Sequence, residues 1–427
     1  NSWYGRVAGV GFALLGWIAA VDSPVAGPAA YGTRFVRADQ ALPGSAAGPA
    51  SSGAVTPADA GRYREQLAAV ELEAGPYADA LAEPLAGLAR GHRQAGDYER
   101  ALATYRRALH IVRVNDGLYS ERQIPLLREM LITYRESGDL ESLDERYEYF
   151  FRVYGMGRPP YTPLRLRAAL EYLRWQREAL LLDLPGNRDR RILDLIALNG
   201  SLLESVMADT AAPFSWKRGL ALSQVANLYL LQDQFEPGIE ETSLLRGREL
   251  VDPIPLVESL DNQRLDNALR SAYIKGRLLL EELRSLEPES EAAERAALTL
   301  ALADWHHWNG SRQRAAQVYG EVVDALRQAG EESLLEAWLG EPVELPDNGA
   351  FLIPSSSNGP NEQVRARFDV SEMGRVRAIE IEALTGEAIA ELGSFRRKLA
   401  ATLFRPRWST GEATAVRGLQ RDYRLLD

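Results

Sequence analysis

From Arg62 to about Gly340, apolar residues recur with the period of a helix, and the clearest stretch is Leu85 to Leu109, LAGLARGHRQAGDYERALATYRRAL. Leu88 and Ala89 precede His92, Gly96 follows it by four, and Tyr98, Ala101, Tyr105 and Ala108 resume the period. The spacing predicts two helices joined by a tight turn at Gly96-Asp97. Small residues at Ala89 and Ala101 let two backbones approach, Gly96 permits the reversal, and aromatic rings fill the remaining volume. The pattern returns 42 residues on as Tyr134, Gly138, Leu140, Leu143 and Tyr147. A third, weaker copy is Val225-Ala226 with Tyr229, Phe235 and Gly238, where Asp233 stands in place of the turn glycine. A fourth is Leu302-Ala303 with His306, Gly310, Ala315 and Tyr319. Between the copies, Leu164 to Leu184, Arg190 to Ala208 and Gln263 to Leu286 are periodic helices without the signature, punctuated by prolines at 159–160, 185, 253, 255 and 288.

This helix-turn-helix signature resembles the tetratricopeptide repeat, and its 42-residue period is longer than that family's usual ~34. Long-helix repeats of this kind resemble those of kinesin light chains. The fold expected for residues 61–340 is therefore a mainly α, tetratricopeptide-like α-solenoid of about ten to thirteen helices, each repeat burying its neighbour's face. The resemblance implies a concave groove lined by the first helix of each pair. Carried onto this chain, its ligand positions fall on Arg90 and Arg93, then on Arg128 and Arg135. Four guanidinium groups on one inner face would bind a carboxylate, such as a peptide terminus or an acidic segment, through forked hydrogen bonds.

Residues 341–360 break the pattern with EPVELPDNG and IPSSSNGP and read as a linker. Beyond them, in residues 361–427, the period changes to two. Val364, Ala366, Phe368 and Val370 alternate, Glu372-Met373-Gly374 makes a turn, and Val376 to Ile381 resumes a strand. Ala388 to Leu403 is helical, Phe404-Arg405-Pro406 ends that helix, Ser409 to Gly411 turns, and Ala413 to Leu419 is extended. The order β-β-α-β predicts a small α+β domain. Phe368, the turn into Gly374-Arg375-Val376, Phe404-Arg405-Pro406 and the Gly411 turn resemble the C-terminal domain of TonB-family energy transducers. That resemblance implies a sheet edge that pairs with a peptide strand. The family's Pro-rich rigid spacer is absent, and a helical array stands in its place.

At the other end, Val7 to Val21 is an apolar run of fifteen residues, shorter than the ~20 a spanning helix needs and within the range of a secretory segment. Residues 1–22 are accordingly expected to be a signal peptide or N-terminal membrane anchor. Residues 23–60, rich in Ala, Gly, Pro and Ser, are expected to form a flexible linker. Either reading of 1–22 sends the chain out of the cytoplasm, to the periplasm or cell envelope of a Gram-negative bacterium.

Composition narrows the function. The net charge of -11 argues against nucleic acid as a partner. There is no Cys, which removes disulfides, thiolate catalysis and Cys-ligated metal. The segment 361–427 carries twelve basic against ten acidic residues, so the acidic surplus lies in the rest. Arg396, Arg397 and Lys398 sit together in its helix. No phosphate loop, nucleophile elbow, zinc-protease helix or dinucleotide fingerprint is present. His306 and His307, near Asp304, are neighbours that a helix turns about 100° apart, which suits packing and not one shared ion. The expectation is a scaffold without cofactor, metal or catalytic residue, whose partners are other proteins or peptides. The alternatives are a divergent TonB-type energy transducer for outer-membrane transport, and an enzyme with no recognisable motif.

Overall fold

The computed structural model describes residues 35–37, 57–235, 256–286, 292–345, 363–384, 392–409 and 411–425. The apolar run Val7 to Val21, Gly238 of the third repeat copy, and 346–360 of the expected linker lie outside these residues.

The described chain is mainly helical, with short strands gathered at its C-terminal end. After strand β1 (Phe35–Arg37) come α1 (Pro57–Ala74), α2 (Ala82–Gln94), α3 (Tyr98–Asp116), α4 (Ile124–Ser137), α5 (Leu140–Val153) and α6 (Pro163–Leu181). Then follow α7 (Arg188–Ala208), α8 (Phe214–Gln234), α9 (Leu256–Leu286), α10 (Ala292–Trp308), α11 (Arg312–Gln328) and α12 (Glu332–Leu339). From α1 to α12, each helix packs against the next in the chain.

The expected turns recur with one geometry. Gly96, Gly138 and Gly310 have φ of 76°, 76° and 73°. In each, the glycine N–H and the next N–H return to carbonyls of the preceding helix: Asp97 N to His92 O, Asp139 N to Tyr134 O, Ser311 N to His306 O. This is the left-handed close of a helix that glycine adopts without steric cost. Asp97 and Asp139 then cap the following helices, accepting from the N–H groups of Arg100 and Ser142. Gly330, with φ 71°, closes α11 in the same way. In the third copy no such turn forms at Asp233, where α8 runs on to Gln234.

The repeat positions supply the cores. Ala89, Ala101, Tyr105, Tyr134 and Tyr147 are buried in one cluster that runs from Leu67 to Ala179, with Leu88 at its margin. Tyr98 is half-buried at the first turn of α3. Ala315 and Tyr319 belong to a second cluster, which extends from Phe151 to the far end of the array. Burial of this apolar surface, at about 25 cal/mol per Å², is what holds short helices in place.

The C-terminal region departs from the expected β-β-α-β order in four respects. A strand, β2 (Val343–Leu345), lies where a linker was expected, because Val343 and Leu345 flank Glu344 and find a partner strand 60 residues on. The helix α13 (Leu392–Ala401) is shorter than expected: Leu403 starts β5 (Leu403–Arg405), the partner of β2. The extended segment near 413–419 divides into β7 (Glu412–Thr414), which pairs with β6 (Arg407–Ser409), and β8 (Val416–Leu425). The main sheet joins β3 (Gln363–Val370), β4 (Val376–Ala383) and β8 in the antiparallel order β1-β8-β3-β4. Its first strand comes from the expected flexible linker, and α1 likewise starts inside that linker, at Pro57, where the fixed φ of proline suits the first helical turn. Val364, Ala366, Phe368 and Val370 point from β3 onto Phe395, Leu399 and Phe404, forming the core of this module.

Candidate functional sites: an arginine ladder and a buried docking cluster

Helices α2, α4 and α6 follow one another in the stack, and arginines bridge them at the repeat spacing. Arg93 on α2 reaches Glu136 (Nη1–Oε1 2.9 Å) and Glu129 (Nη2–Oε2 3.2 Å) on α4. Arg135, 42 residues later, reaches Glu178 on α6 (Nη1–Oε1 2.5 Å, Nη2–Oε2 3.1 Å), and Glu178 is 42 residues after Glu136. Arg128 pairs with Glu171 at 3.0 Å. Two of these guanidinium groups also lie over aromatic rings, Arg128 over Phe150 at 5.5 Å and Arg135 over Trp175 at 5.3 Å. Arg90 is half-buried on α2, near Tyr105, whose hydroxyl is held well above its ordinary pKa by burial and Glu129, with Arg93 and Arg90 opposing that rise.

Burial decides the electrostatics. Burial raises the pKa of Glu178 above the usual carboxylate range, and Arg135 opposes that rise. Burial disfavours the charge on Arg135, but Glu178 outweighs it and holds the guanidinium pKa above its ordinary value. Burial also pushes Tyr147 up to about 12. The structure thus brings Arg93, Arg128 and Arg135 into one ladder, each held by a carboxylate two helices further on. Glu129, Glu136, Glu171 and Glu178 were not singled out in the sequence. Their signal was a separation of 36 or 43 residues from the paired arginine, one repeat give or take a turn.

The second site lies where the module meets the array. Asp304 on α10 accepts from Tyr319 Oη (2.7 Å) and from Arg405 Nε and Nη2 (2.8 and 2.5 Å). Arg405 Nη1 donates to the Trp338 carbonyl at 2.8 Å. His307 Nε2 lies 2.9 Å from Phe404 O, and since a carbonyl only accepts, Nε2 carries the proton. His306 points elsewhere, with Nδ1 3.1 Å from the Tyr273 hydroxyl. The two imidazoles diverge as expected, and among the described residues no group of His, Asp and Glu is placed to hold a metal. Burial lowers the pKa of both histidines. It also raises Tyr319 well above its ordinary value, with Asp304 adding to the rise. Burial works against the charge on Arg405, and Asp304 outweighs it and raises the guanidinium pKa.

The motif residues of the module build this contact. Phe404 packs on Phe368 (centroids 5.5 Å apart), Pro406 is buried, and Val376 sits half-buried beside the same core. Gly374, at φ 70°, brings its backbone so close that a Cβ would fall 1.8 Å from Phe404 O. Gly411, at φ 93°, turns β6 into β7. Trp408 leaves the module to join the core of the array, 5.0 Å from Tyr319. A second buried pair seals the joint: Arg421 meets Glu344 at 2.5 Å, and Tyr423 Oη donates to the same carboxylate at 2.8 Å. Of the basic run, Arg396 donates to the Ile379 carbonyl at the edge of β4, Arg397 is exposed and Lys398 is half-buried.

No protein-family model matches this chain, and no curated protein matches it.

Proposed function

We propose that this chain is a non-enzymatic scaffold that binds other proteins or peptides. In this reading α1 to α12 form a tetratricopeptide-like solenoid, capped by a TonB-like α+β module, in an exported protein of the periplasm or cell envelope. The observation that carries it is the recurrence, at one 42-residue period, of a left-handed glycine turn together with an arginine-carboxylate ladder across successive helices. A repeat that presents the same charged pair from helix to helix offers an extended ligand equivalent contacts along its length. Glu171 already occupies Arg128, so an acidic ligand acts by exchange: it takes the place of Glu171 on the more exposed Arg128, with the half-buried Arg90 on the helix α2 of the same ladder. The net charge of -11 leaves nucleic acid out of the partner set.

The energy-transducer alternative needs a module that travels to a distant receptor. The buried Asp304–Arg405 and Glu344–Arg421 pairs weigh against that freedom.

Capture from envelope fractions tests the scaffold reading, with the full chain compared against a variant carrying Arg90→Ala and Arg128→Ala. Loss of a defined set of partners, with the melting temperature lowered by no more than a few degrees, is the expected result. An identical partner set for both proteins would remove the ladder face from consideration.

A further inference from the structure

We infer that the edge of the array away from the Gly96 and Gly138 turns is a self-docking surface, on which a second copy of this chain packs antiparallel about a two-fold axis. The inference goes beyond the scaffold reading and stands without it.

Three connections, α1 to α2, α3 to α4 and α5 to α6, lie side by side on that edge. Asn115 Nδ2 donates to the Tyr77 carbonyl at 3.0 Å, Arg122 reaches Asp79 at 3.0 Å, and Arg165 reaches Glu121 at 3.9 Å. Their apolar residues recur at the period of the array. Leu72, Val114 and Met156 are 42 residues apart, and so are Tyr77, Tyr119 and Tyr161. Tyr161 is half-buried and the other five are exposed, Leu72 to 91%. Of the remaining exposed large apolar residues between 57 and 181, all but Ile132 lie in the same connections, and none lies at the Gly96 or Gly138 turn. Scattered apolar residues on a surface are ordinary. Residues that recur in register form a continuous strip, which is what a docking surface needs.

Charge says what covers the strip. Segments 68–83, 110–125 and 152–167 are equivalent stretches one repeat apart. The first carries Glu71, Glu73, Asp79 and Glu83 and no basic residue. The second balances Arg113 and Arg122 against Asp116 and Glu121. The third carries Arg152, Arg158, Arg165 and Arg167 and no acidic residue. Some of these charges are engaged within one copy: Glu71 with Arg107, Asp79 with Arg122, and Arg165 with Glu121. Glu73 and Glu83 at one end, and Arg152 and Arg158 at the other, are exposed. A strip that runs from acidic through neutral to basic is complementary to itself when reversed. A half-turn about an axis at the middle connection sets each acidic end on the basic end of the other copy, whereas a parallel match sets like charge on like. A lipid surface carries one sign of charge or none and does not match such a gradient. The exposed residues of the three segments are enough for the roughly 20–30 per partner that a standard interface uses. In this arrangement Leu72 of one copy faces Met156 of the other, and Tyr119 lies near its own counterpart.

The test uses the full chain in sedimentation velocity over a concentration series. Arg152→Glu with Arg158→Glu should raise the dimer dissociation constant about tenfold or more, and so should Glu73→Arg with Glu83→Arg. An equal mixture of these two variants should pair about as well as the parent chain, because each end then meets an opposite charge again. That recovery separates lost docking from lost folding. The absence of native Cys allows the direction to be trapped. Chain carrying Leu72→Cys, mixed with chain carrying Met156→Cys and mildly oxidised, should form the mixed covalent dimer several-fold faster than either forms a dimer with itself. Faster self-trapping of the Leu72→Cys chain would mean a parallel match and overturn the proposal. A parent chain that stays monomeric at about 0.1 mM would also overturn it, as would a dimer that neither charge variant weakens. So would a monomeric parent chain that binds phosphatidylcholine vesicles and loses them with Leu72→Ser and Tyr119→Ser, since the strip would then belong to lipid.

Discussion

The arginine-carboxylate pairs of the ladder and those at the joint with the module differ in their burial. In the ladder, Arg128 retains 37% of its side-chain exposure and Glu171 28%, so water shares their charges. At the joint with the module, Arg405 keeps 5% and Asp304 11%, and the guanidinium donates two hydrogen bonds to the one carboxylate. An exposed pair gains little and can be exchanged for another partner. A buried pair contributes little net stability over an apolar replacement, yet breaking it strands a charge away from water. The Arg128–Glu171 pair is open to water and salt, and the pair at the joint is shielded from both. Arg135–Glu178 stands between them, with 14% and 4% exposure, and marks where the ladder turns into core.

The largest effect that separates the two sets is expected at the joint. Arg405→Ala leaves Asp304 buried with only the Tyr319 hydroxyl and should cost about 3–5 kcal/mol of unfolding free energy in urea titration. The replacement of both partners, Arg405→Met with Asp304→Leu, should recover most of that loss. If the single variant lost under about 1 kcal/mol, the joint would be no more fixed than the ladder.

Next comes Arg135→Ala, expected to cost about 2–3 kcal/mol because Glu178 is left buried without its partner. The same variant should bring an acid-dependent recovery. Burial raises the folded pKa of Glu178 above its unfolded value, so the proton is bound more tightly in the folded state. Stability from this group is therefore present at low pH and is lost as pH rises through the unfolded and then the folded value. Removal of Arg135 widens that window upwards, and Arg135→Ala should regain stability as pH falls below neutrality while the parent chain gains less. A loss independent of pH would show that Glu178 is not the stranded group.

How much of this was legible beforehand follows from how far apart the partners lie. The turns at Gly96, Gly138 and Gly310 were readable because glycine, cap and aromatic residue fall within a dozen residues of each other. The alternation of β3 was readable for the same reason. Gly330 repeats the turn without the aromatic residue after it and passed unnoticed. The ladder was half legible: the arginines fell on the groove positions that the tetratricopeptide resemblance implies, but their acids lie about a whole repeat away, where local periodicity carries no information. The Asp304–Arg405 pair spans 101 residues and joins α10 to β5, so no window of sequence contains it. Strands β1 and β2 are three residues each, too short to show a period of two, and both sit among Pro and Gly. The helix pattern thus announced the array, while the contacts that close it onto the module came only from tertiary structure.

A smaller effect separates the two imidazoles of α10 by their surroundings. Burial lowers the folded pKa of His307 below its unfolded value, and the Asp304 and Phe404 carbonyl contacts only partly offset this. For a base held low, stability is full above the unfolded value and declines as pH falls through it towards the folded value. Between pH 7 and 5 the chain should therefore weaken, and His307→Gln, which keeps an N–H for Phe404 O, should flatten that decline. His306 has the same sign, so part of the slope should survive in the single variant. A slope that is unchanged would place the pH dependence outside this joint.

The smallest expected change is at the partly exposed Arg128–Glu171 pair of the ladder. Arg128→Ala should cost only about 0.5–1 kcal/mol, since Glu171 stays accessible to water and the pair is screened. Part of that loss is packing, because the guanidinium lies over Phe150, and that part should persist in high salt. The salt-sensitive remainder should vanish at 1 M NaCl, where the Debye length is about 3 Å. The same salt series on Arg135→Ala should change its cost far less, because its partner is desolvated. If salt screened both variants alike, burial would not be what distinguishes the two ends of the ladder, and the division between an exposed ladder face and a shielded joint would need another physical basis.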